Sequence, residues 1–409
     1  MSRTVTFEDV LAARERVKSH IVQTPFRESV LLGKLCGRRV FCKFENQQIT
    51  GSFKERGALN KLAQLTPEEA RAGVIAASAG NHAQAVAYHG RNLGIPTTIV
   101  MPVNTPIIKV NRTESLGARV ILHGSIFDEA NALALKLADE EGYTFVSAFD
   151  DPAVIAGQGT LGLELLAEGA PEFDTLLVPV GGGGLIAGVA LAVKHLRPDV
   201  HIVGVQTDLV PGMVHALEKG IGAAPPVRDE KHLTIADGIA VQQVCRLTLD
   251  IVRRYVDQLI TVSESQIAHA VQQLLEIEKT VVEGAGAVGL AALMHHGSKI
   301  PGERCALILS GGNIDIGMLA KIIDKGLVED GRLAQITVQL PDVPGALAGA
   351  TAQISACGAN LREVTHHRSF NNIPIGQVRV TFTVETRSRA HVDQIVRALG
   401  DHGCVLISS

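Results

Sequence analysis

The 409-residue chain contains no tryptophan and three tyrosines, and aromatic residues make up 3% of it. So small a supply excludes a nucleic-acid platform built on stacked aromatic rings. Neither sign of charge is in excess: 38 basic residues face 42 acidic ones, for a net charge of −4. Neither a polyanion nor an anionic membrane surface is therefore an expected partner. The six cysteines, at 36, 42, 245, 305, 357 and 404, form no CxxC pair and no ligand-like spacing with histidine. They read as reduced core residues of a cytoplasmic protein. The N-terminus, MSRTVTFEDVLAARERV, lacks the apolar stretch of a signal peptide and reads as a capped helix. One uncharged run, between Asp174 and Lys194, imitates a membrane span, but Pro179 and four consecutive glycines would cost a lipid-exposed helix dearly. It reads instead as a buried strand, Leu176–Val180, and a buried helix, Leu185–Leu196, and the protein as soluble.

What is plentiful points to an enzyme. The chain is 46% hydrophobic and has 41 glycines, which suits an α/β fold with many tight strand-to-helix turns. Its length allows two or three domains of roughly 100–200 residues each. After a helix at Phe7–Lys18 and a strand at Arg39–Phe44, strands at Val74–Ala77, Thr97–Met101, Arg119–Leu122 and Tyr143–Val146 alternate with helical periodicity. That alternation predicts a parallel sheet with right-handed crossovers. A second alternating set runs from Asp174 to about Gly317, with a cleft between the two sets. After Asp330–Gly331 the pattern becomes a strand at Arg332–Leu340, a helix at Gly345–Cys357, strands at Asn360–Phe370 and Gln377–Glu385, a helix at Arg389–Leu399 and a strand at Cys404–Ser408. This βαββαβ order is ferredoxin-like. The expected division is a catalytic domain at 1–328, its smaller lobe at about 51–148, and a second domain at 331–409.

Four stretches carry candidate chemistry. In NQQITGSFKERGALNKL, Asn46 to Leu62, Ser52 and Glu55 stand at capping-box spacing and place Lys54 in the first turn of a helix. Partial desolvation and the positive helix end would lower the pKa of its amine and favour the neutral nucleophile, although taken alone Lys54 also reads as a solvated surface lysine. Ser78-Ala79-Gly80-Asn81-His82 follows a strand and opens a helix, an arrangement that binds a carboxylate or phosphate through free backbone N–H groups, or simply caps a helix. Val180-Gly181-Gly182-Gly183-Gly184-Leu185 lets the backbone approach an anion closely, and a phosphate is the natural guest. Ser310, in Leu307-Ile308-Leu309-Ser310-Gly311-Gly312-Asn313, is a neutral hydroxyl at a strand end. The run Gly284-Ala285-Gly286-Ala287-Val288-Gly289 spells GxGxxG, but it follows a helix at Ile267–Lys279 with only Thr280–Val282 as strand, so a dinucleotide site is not expected. Glu283 before it reads as either a cleft carboxylate or a helix cap.

The combination of SFKERGA, SAGNHAQ, VPVGGGGL and LSGGN, in that order, closely resembles the fold type II pyridoxal-phosphate enzymes, most nearly the threonine dehydratases (threonine ammonia-lyases), from about residue 5 to 325. Asp342-Val343-Pro344-Gly345-Ala346-Leu347 resembles the DxPGxL turn of an ACT regulatory domain. The resemblance implies that Lys54 is the catalytic residue and holds pyridoxal phosphate covalently, with Phe53 against the ring. By the same resemblance Asn81 bonds the ring hydroxyl, Gly181, Gly182, Gly183, Gly184 and Leu185 cradle the phosphate, and Ser310 meets the ring nitrogen. Ser78, Gly80, Asn81 and His82 would hold the substrate carboxylate. A neutral serine at the ring nitrogen suits early loss of a β-leaving group better than transamination. The implied reaction is dehydration and deamination of L-threonine to 2-oxobutanoate and ammonia, with L-serine giving pyruvate, in amino-acid metabolism such as isoleucine biosynthesis. An amino-acid effector at paired ACT domains and a homo-oligomer, dimer or tetramer, are implied too. 3-Hydroxyaspartate dehydratase and serine racemase share the scaffold. The racemase-like branch uses an acidic cation ligand where this chain has Gln206, so no metal is expected, and a proton-returning serine where it has Ala79. A nicotinamide dehydrogenase would leave Lys54 unexplained, and an amino-acid-binding regulatory protein would explain only the tail.

Overall fold

Runs of buried aliphatic residues become the inner strands of two parallel sheets in the computed structural model, which describes residues 4–222, 234–368 and 373–407. Thr175–Pro179 is buried at every position, as a parallel strand covered on both faces must be. It lies inside a six-stranded sheet of spatial order Phe26–Glu28, Arg39–Lys43, Arg304–Ile308, Thr175–Pro179, His201–Thr207 and Gln258–Val262. Only the edge strand Phe26–Glu28 runs antiparallel to its neighbour. The smaller sheet, wholly parallel, has the order Arg119–Leu122, Thr97–Met101, Val74–Ala77 and Thr144–Phe145. Both belong to a compact unit, Met1–Asp315. The expected α/β architecture with parallel sheets is what the chain forms.

Three helices set the spacing of the candidate site: Lys54–Leu62, which we term the lysine helix; Pro152–Leu165, the spacer helix; and Gly184–Leu196, the glycine-loop helix. Proline sits in the first turn of the spacer helix, and Asp151 caps it by accepting from the N–H groups of Ala153 and Val154. The spacer helix touches the other two backbone to backbone. A Cβ on Gly157 would stand 2.5 Å from the Arg56 carbonyl oxygen, and one on Gly188 would stand 2.2 Å from the Ile155 carbonyl oxygen. Glycine is therefore required at both crossings by space alone.

The second unit, Ile316–Ser409, opens with the helix Ile316–Glu329. There follow in order the strand Leu333–Pro341, helix Ala346–Ala356, strands Asn360–His367 and Gln377–Glu385, helix Arg389–Asp401 and strand Val405–Leu406. Its four strands form one antiparallel sheet, in which Leu333–Pro341 pairs with Gln377–Glu385 on one side and Val405–Leu406 on the other. Val338, Val380, Phe382, Ile354 and Leu399 fill its core. Phe370 and Ser408, the expected ends of two strands, lie outside the described residues. Among the described residues no helix is long and apolar enough to cross a membrane.

The structure corrects three local readings. Ser52 and Glu55 form no capping box: the helix starts on Phe53 without a side-chain cap, and Glu55 instead accepts from the Thr50 N–H and, at 2.9 Å, the Thr50 hydroxyl. The carboxylate thus braces the turn before the helix. The expected helix Ile267–Lys279 is an α-helix only over Glu264–Gln273; it continues as one π-helical stretch, Leu274–Glu278, and stops at Lys279, whose φ of +54 breaks the pattern. Thr280–Val282 is not a strand, and Gly284–His296 is a helix throughout. The GxGxxG run therefore lies within one helix and forms no strand-to-helix turn.

Candidate active site

Gly51, at φ +80, turns the chain into a short antiparallel bridge between Ser52 and Gly311, and the Phe53 N–H donates to the Ser310 carbonyl at 3.1 Å. The lysine helix is thereby fixed to the end of the strand Arg304–Ile308. Lys54 Nζ points into the cleft, donates to the Ala148 carbonyl at 2.7 Å and lies 5.2 Å from the Phe53 ring centroid. Burial lowers the pKa of the amine to about 8, against the opposing pull of Glu283. At pH 7 the amine is still mostly protonated, but it gives up its proton far more readily than an ordinary lysine and so reaches more easily the neutral state a nucleophile and proton acceptor needs.

Behind the lysine stands a closed charge network that the sequence reading passed over. Arg56 is buried, and its guanidinium donates to Glu45 through Nε and Nη2 at 2.7 and 2.8 Å. It donates to Glu164 at 2.6 and 2.9 Å, and Lys43 Nζ reaches Glu164 at 2.6 Å. Two cations facing two carboxylates satisfy one another, the condition under which buried charge is tolerated. This network anchors the first turn of the lysine helix to the spacer helix and to the end of strand Arg39–Lys43.

The turn Ser78–His82 joins Val74–Ala77 to the helix Asn81–Leu93. Ser78 Oγ accepts from the Gly80 N–H at 3.2 Å, and the first N–H groups of the helix have no partner within it. Asn81 Nδ2 donates to Glu283 Oε1 at 2.8 Å, while Asn81 Oδ1 is buried without a hydrogen-bond partner among the described residues. The His82 ring turns away, with Nε2 2.8 Å from the Val146 carbonyl. Burial, with Lys54 nearby, pulls its pKa to about 3, so the ring is neutral and only the main-chain N–H is available to an anion. Ala79 packs its methyl against the small-lobe core.

The glycine run closes the site from the other side. Gly183 has φ +93, and a Cβ on Gly182 would lie 2.4 Å from ring atoms of Phe149. The loop therefore has backbone on every surface that faces the cleft, and the glycine-loop helix begins directly behind it, at Gly184. Phe149 was not singled out in the sequence, yet it follows Ala148, the acceptor of Lys54, and its ring covers the loop. A signal existed: Ala148–Asp151 leads from a strand of the smaller sheet into a helix, as the turn at Ser78 does. Ser310 is buried at the strand end next to Phe53. All four motifs thus meet in one cleft.

The choice left open for Glu283 is settled. It makes no side-chain cap to the helix Gly284–His296; it is a buried cleft carboxylate. Burial first, and Asp237 second, raise its pKa to about 7. Gln206 spends both ends of its amide on backbone, donating to the Val180 carbonyl at 3.2 Å and accepting from the Val214 N–H at 2.9 Å.

A buried lysine amine of lowered pKa and a glycine loop at the start of a helix, on the carboxyl edges of parallel sheets, make up the kind of enzyme site that takes a carbonyl-bearing phosphate cofactor. The loop that admits no Cβ fits such a guest. Residues 17–311 match the family model described as pyridoxal-phosphate dependent enzyme, and the chain belongs to that family. It is 46% identical over 395 residues to an L-threonine ammonia-lyase of Thermotoga maritima, covering 97% of each chain. It is 41% identical to the catabolic L-threonine dehydratase TdcB of Escherichia coli K12 over 78% of this chain and 96% of that one. Among solved structures, the processed form of threonine deaminase isoform 2 from Solanum lycopersicum superposes with a TM-score of 0.72 at 35% identity, over 79% of this chain and 90% of that one. A maize serine racemase does so at 0.73 and 33%, over 80% and 99%.

Proposed function

We propose that the chain is an L-threonine ammonia-lyase, converting L-threonine to 2-oxobutanoate and ammonia and L-serine, secondarily, to pyruvate. The observation that carries this reading is the Lys54 amine, its pKa lowered by burial to about 8, in the cleft that the glycine loop closes. The names of the full-length relatives supply the substrate. In this reading the main-chain N–H groups of Gly181, Gly182, Gly183, Gly184 and Leu185 hold the cofactor phosphate, Phe53 lies against the ring, Asn81 donates to the ring hydroxyl and Ser310 faces the ring nitrogen. The chemistry the cofactor supplies when bound is withdrawal of electrons from the substrate Cα, which makes the proton there removable. Lys54 would hold the cofactor through its Nζ and, when that nitrogen is free, would take the proton from the substrate Cα. Ser78, Gly80, Asn81 and His82 hold the substrate carboxylate, His82 through its main chain. Loss of the β-hydroxyl follows, and hydrolysis of the dehydrated product gives the 2-oxo acid and ammonia.

The finer organisation is part of the same proposal. Residues 1–328 form the catalytic domain, with a smaller lobe at about 51–148, and residues 331–409 an ACT-type regulatory domain that pairs between subunits of a cytoplasmic homo-oligomer and binds an amino-acid effector. The antiparallel sheet and the Asp342–Leu347 turn support the ACT assignment. The purified protein is expected to be yellow and to release 2-oxobutanoate from L-threonine faster than it releases products from L-serine or the 3-hydroxyaspartates. A colourless protein that does not bind pyridoxal phosphate would refute the site. A yellow one that prefers 3-hydroxyaspartate would refute the substrate.

A further inference from the structure

Asn81 and Ser310 come from different lobes, and one side chain stands between their turns. Glu283, just ahead of the helix Gly284–His296, accepts from Asn81 Nδ2 at 2.8 Å on one side and from the main-chain N–H of Asn313 on the other. Its own N–H donates to the Gly311 carbonyl at 3.0 Å. The carboxylate fits only because Gly311 lacks a side chain: a Cβ there would lie 2.5 Å from Glu283 Oε1 and 3.0 Å from Asn81 Nδ2. Above its pKa of about 7 the Glu283 carboxyl is ionised; it then accepts and cannot donate, and so draws the nitrogen end of the Asn81 amide toward itself. One amide N–H is thereby spent, the second is left uncommitted, and Oδ1 stays buried without a partner.

The geometry points to Glu283 as a positioning residue that fixes which end of the Asn81 carboxamide faces the cofactor. With the nitrogen held by Glu283, Asn81 can present its remaining N–H to an anionic ring oxygen. With the amide reversed, it would present a carbonyl to that oxygen and repel it. Two weak choices, a freely rotating amide and a freely placed turn, become one arrangement because a charged acceptor favours a single orientation. The inference rests on the reading that Asn81 meets the ring hydroxyl, and it adds what that reading lacks, namely a reason for the amide to point the right way.

The test uses the holoenzyme and reads the bound cofactor, not turnover. Glu283→Gln keeps shape and can donate as well as accept, so the Asn81 amide loses its enforced orientation. The variant should shift the balance between the cofactor's absorption bands and weaken cofactor binding about tenfold, the scale of one charge-assisted hydrogen bond. Asn81→Ala should shift the spectrum at least as far. In the double variant, Glu283→Gln should add less than about twofold to the effect of Asn81→Ala on the dissociation constant, because the partner it acts through is gone. Effects that multiply in the double variant would overturn the inference, as would a Glu283→Gln protein with an unchanged spectrum and affinity but a lowered melting temperature when cofactor-free. An unaltered spectrum in Asn81→Ala would overturn the assignment of Asn81 itself.

Discussion

Removing the Lys54 amine should stabilise the cofactor-free protein, and by an amount that depends on pH in one window. Burial holds the amine at about 8 in the folded chain, against an ordinary 10.5. Between those values the unfolded chain carries a proton that the folded chain does not, so stability rises with pH at about 1.4 kcal/mol per unit. The contribution is complete above 10.5 and is lost as pH falls through about 8. Below that pH the whole difference of about 2.5 units weighs against folding, on the order of 3 kcal/mol. Lys54→Met keeps an unbranched apolar stem and removes the charge. The variant should therefore be more stable than the parent by up to about 3 kcal/mol near pH 7, and the gap should close as pH approaches 10. Glu283 and Lys54 act on each other: the carboxylate pulls the amine's pKa up, and its own is raised to about 7. Its contribution is therefore lost as pH rises through that value, and the two proteins are compared above it, where the carboxylate is ionised in both. Urea unfolding of the two cofactor-free proteins across the range gives the difference directly. A gap that stays constant with pH would show that the amine is solvated, and the argument for its lowered pKa would go with it.

Other substitutions probe the remaining parts. Gly188→Ala places a Cβ 2.2 Å from the Ile155 carbonyl, where no flexible side chain can yield; it should cost about 1–3 kcal/mol in denaturant unfolding and weaken cofactor binding as the glycine-loop helix is displaced. Ala79→Ser should introduce D-serine formation from L-serine, read by chiral chromatography, whereas the parent should give none; substantial epimerisation by the parent would mean that an opposite-face base exists. Deleting residues from Gly331 onward should leave the lyase reaction but abolish any response to isoleucine or valine, and loss of cofactor binding instead would make the second unit part of the catalytic core.

Much of the fold was legible because a parallel strand covered on both faces leaves a plain trace. Val74–Ala77 and Thr97–Met101, buried at every position, have the same limits in the sequence reading and in the structure, as does the edge strand Arg119–Leu122, whose ends are exposed. The glycine loop was legible for a related reason, since four glycines between two apolar segments have no other use there. Pairings across long sequence distances left no such trace. Glu55 matched a local capping pattern but was recruited by Thr50, a contact that depends on how the preceding turn folds back. Arg56 was not singled out in the sequence, because its partners Glu45 and Glu164, the latter 108 positions away, converge on it only in the fold. Glu283 was undecidable because its partner, Asn81, lies 202 positions earlier, in the other lobe. Spacing reveals chemistry held within one turn; it does not reveal chemistry shared between turns.

The spacer helix gives the site an unusual kind of tolerance. On one flank its backbone meets the helix that carries Lys54, and on the other the helix that opens at the glycine loop, with Gly157 and Gly188 at the crossings. The gap between the Lys54 nitrogen and the glycine loop is therefore gauged by main-chain atoms, whose dimensions no substitution elsewhere can alter. Leu, Ile and Val can be exchanged through the surrounding core, with the repacking that cores ordinarily permit, and the gauge will not move. Sensitivity is concentrated instead in a few crossings where one methyl group is too much. A designer wishing to retune the cleft would change the lining and leave the glycines alone, and one wishing to disable it without touching any reactive group would start with Gly157.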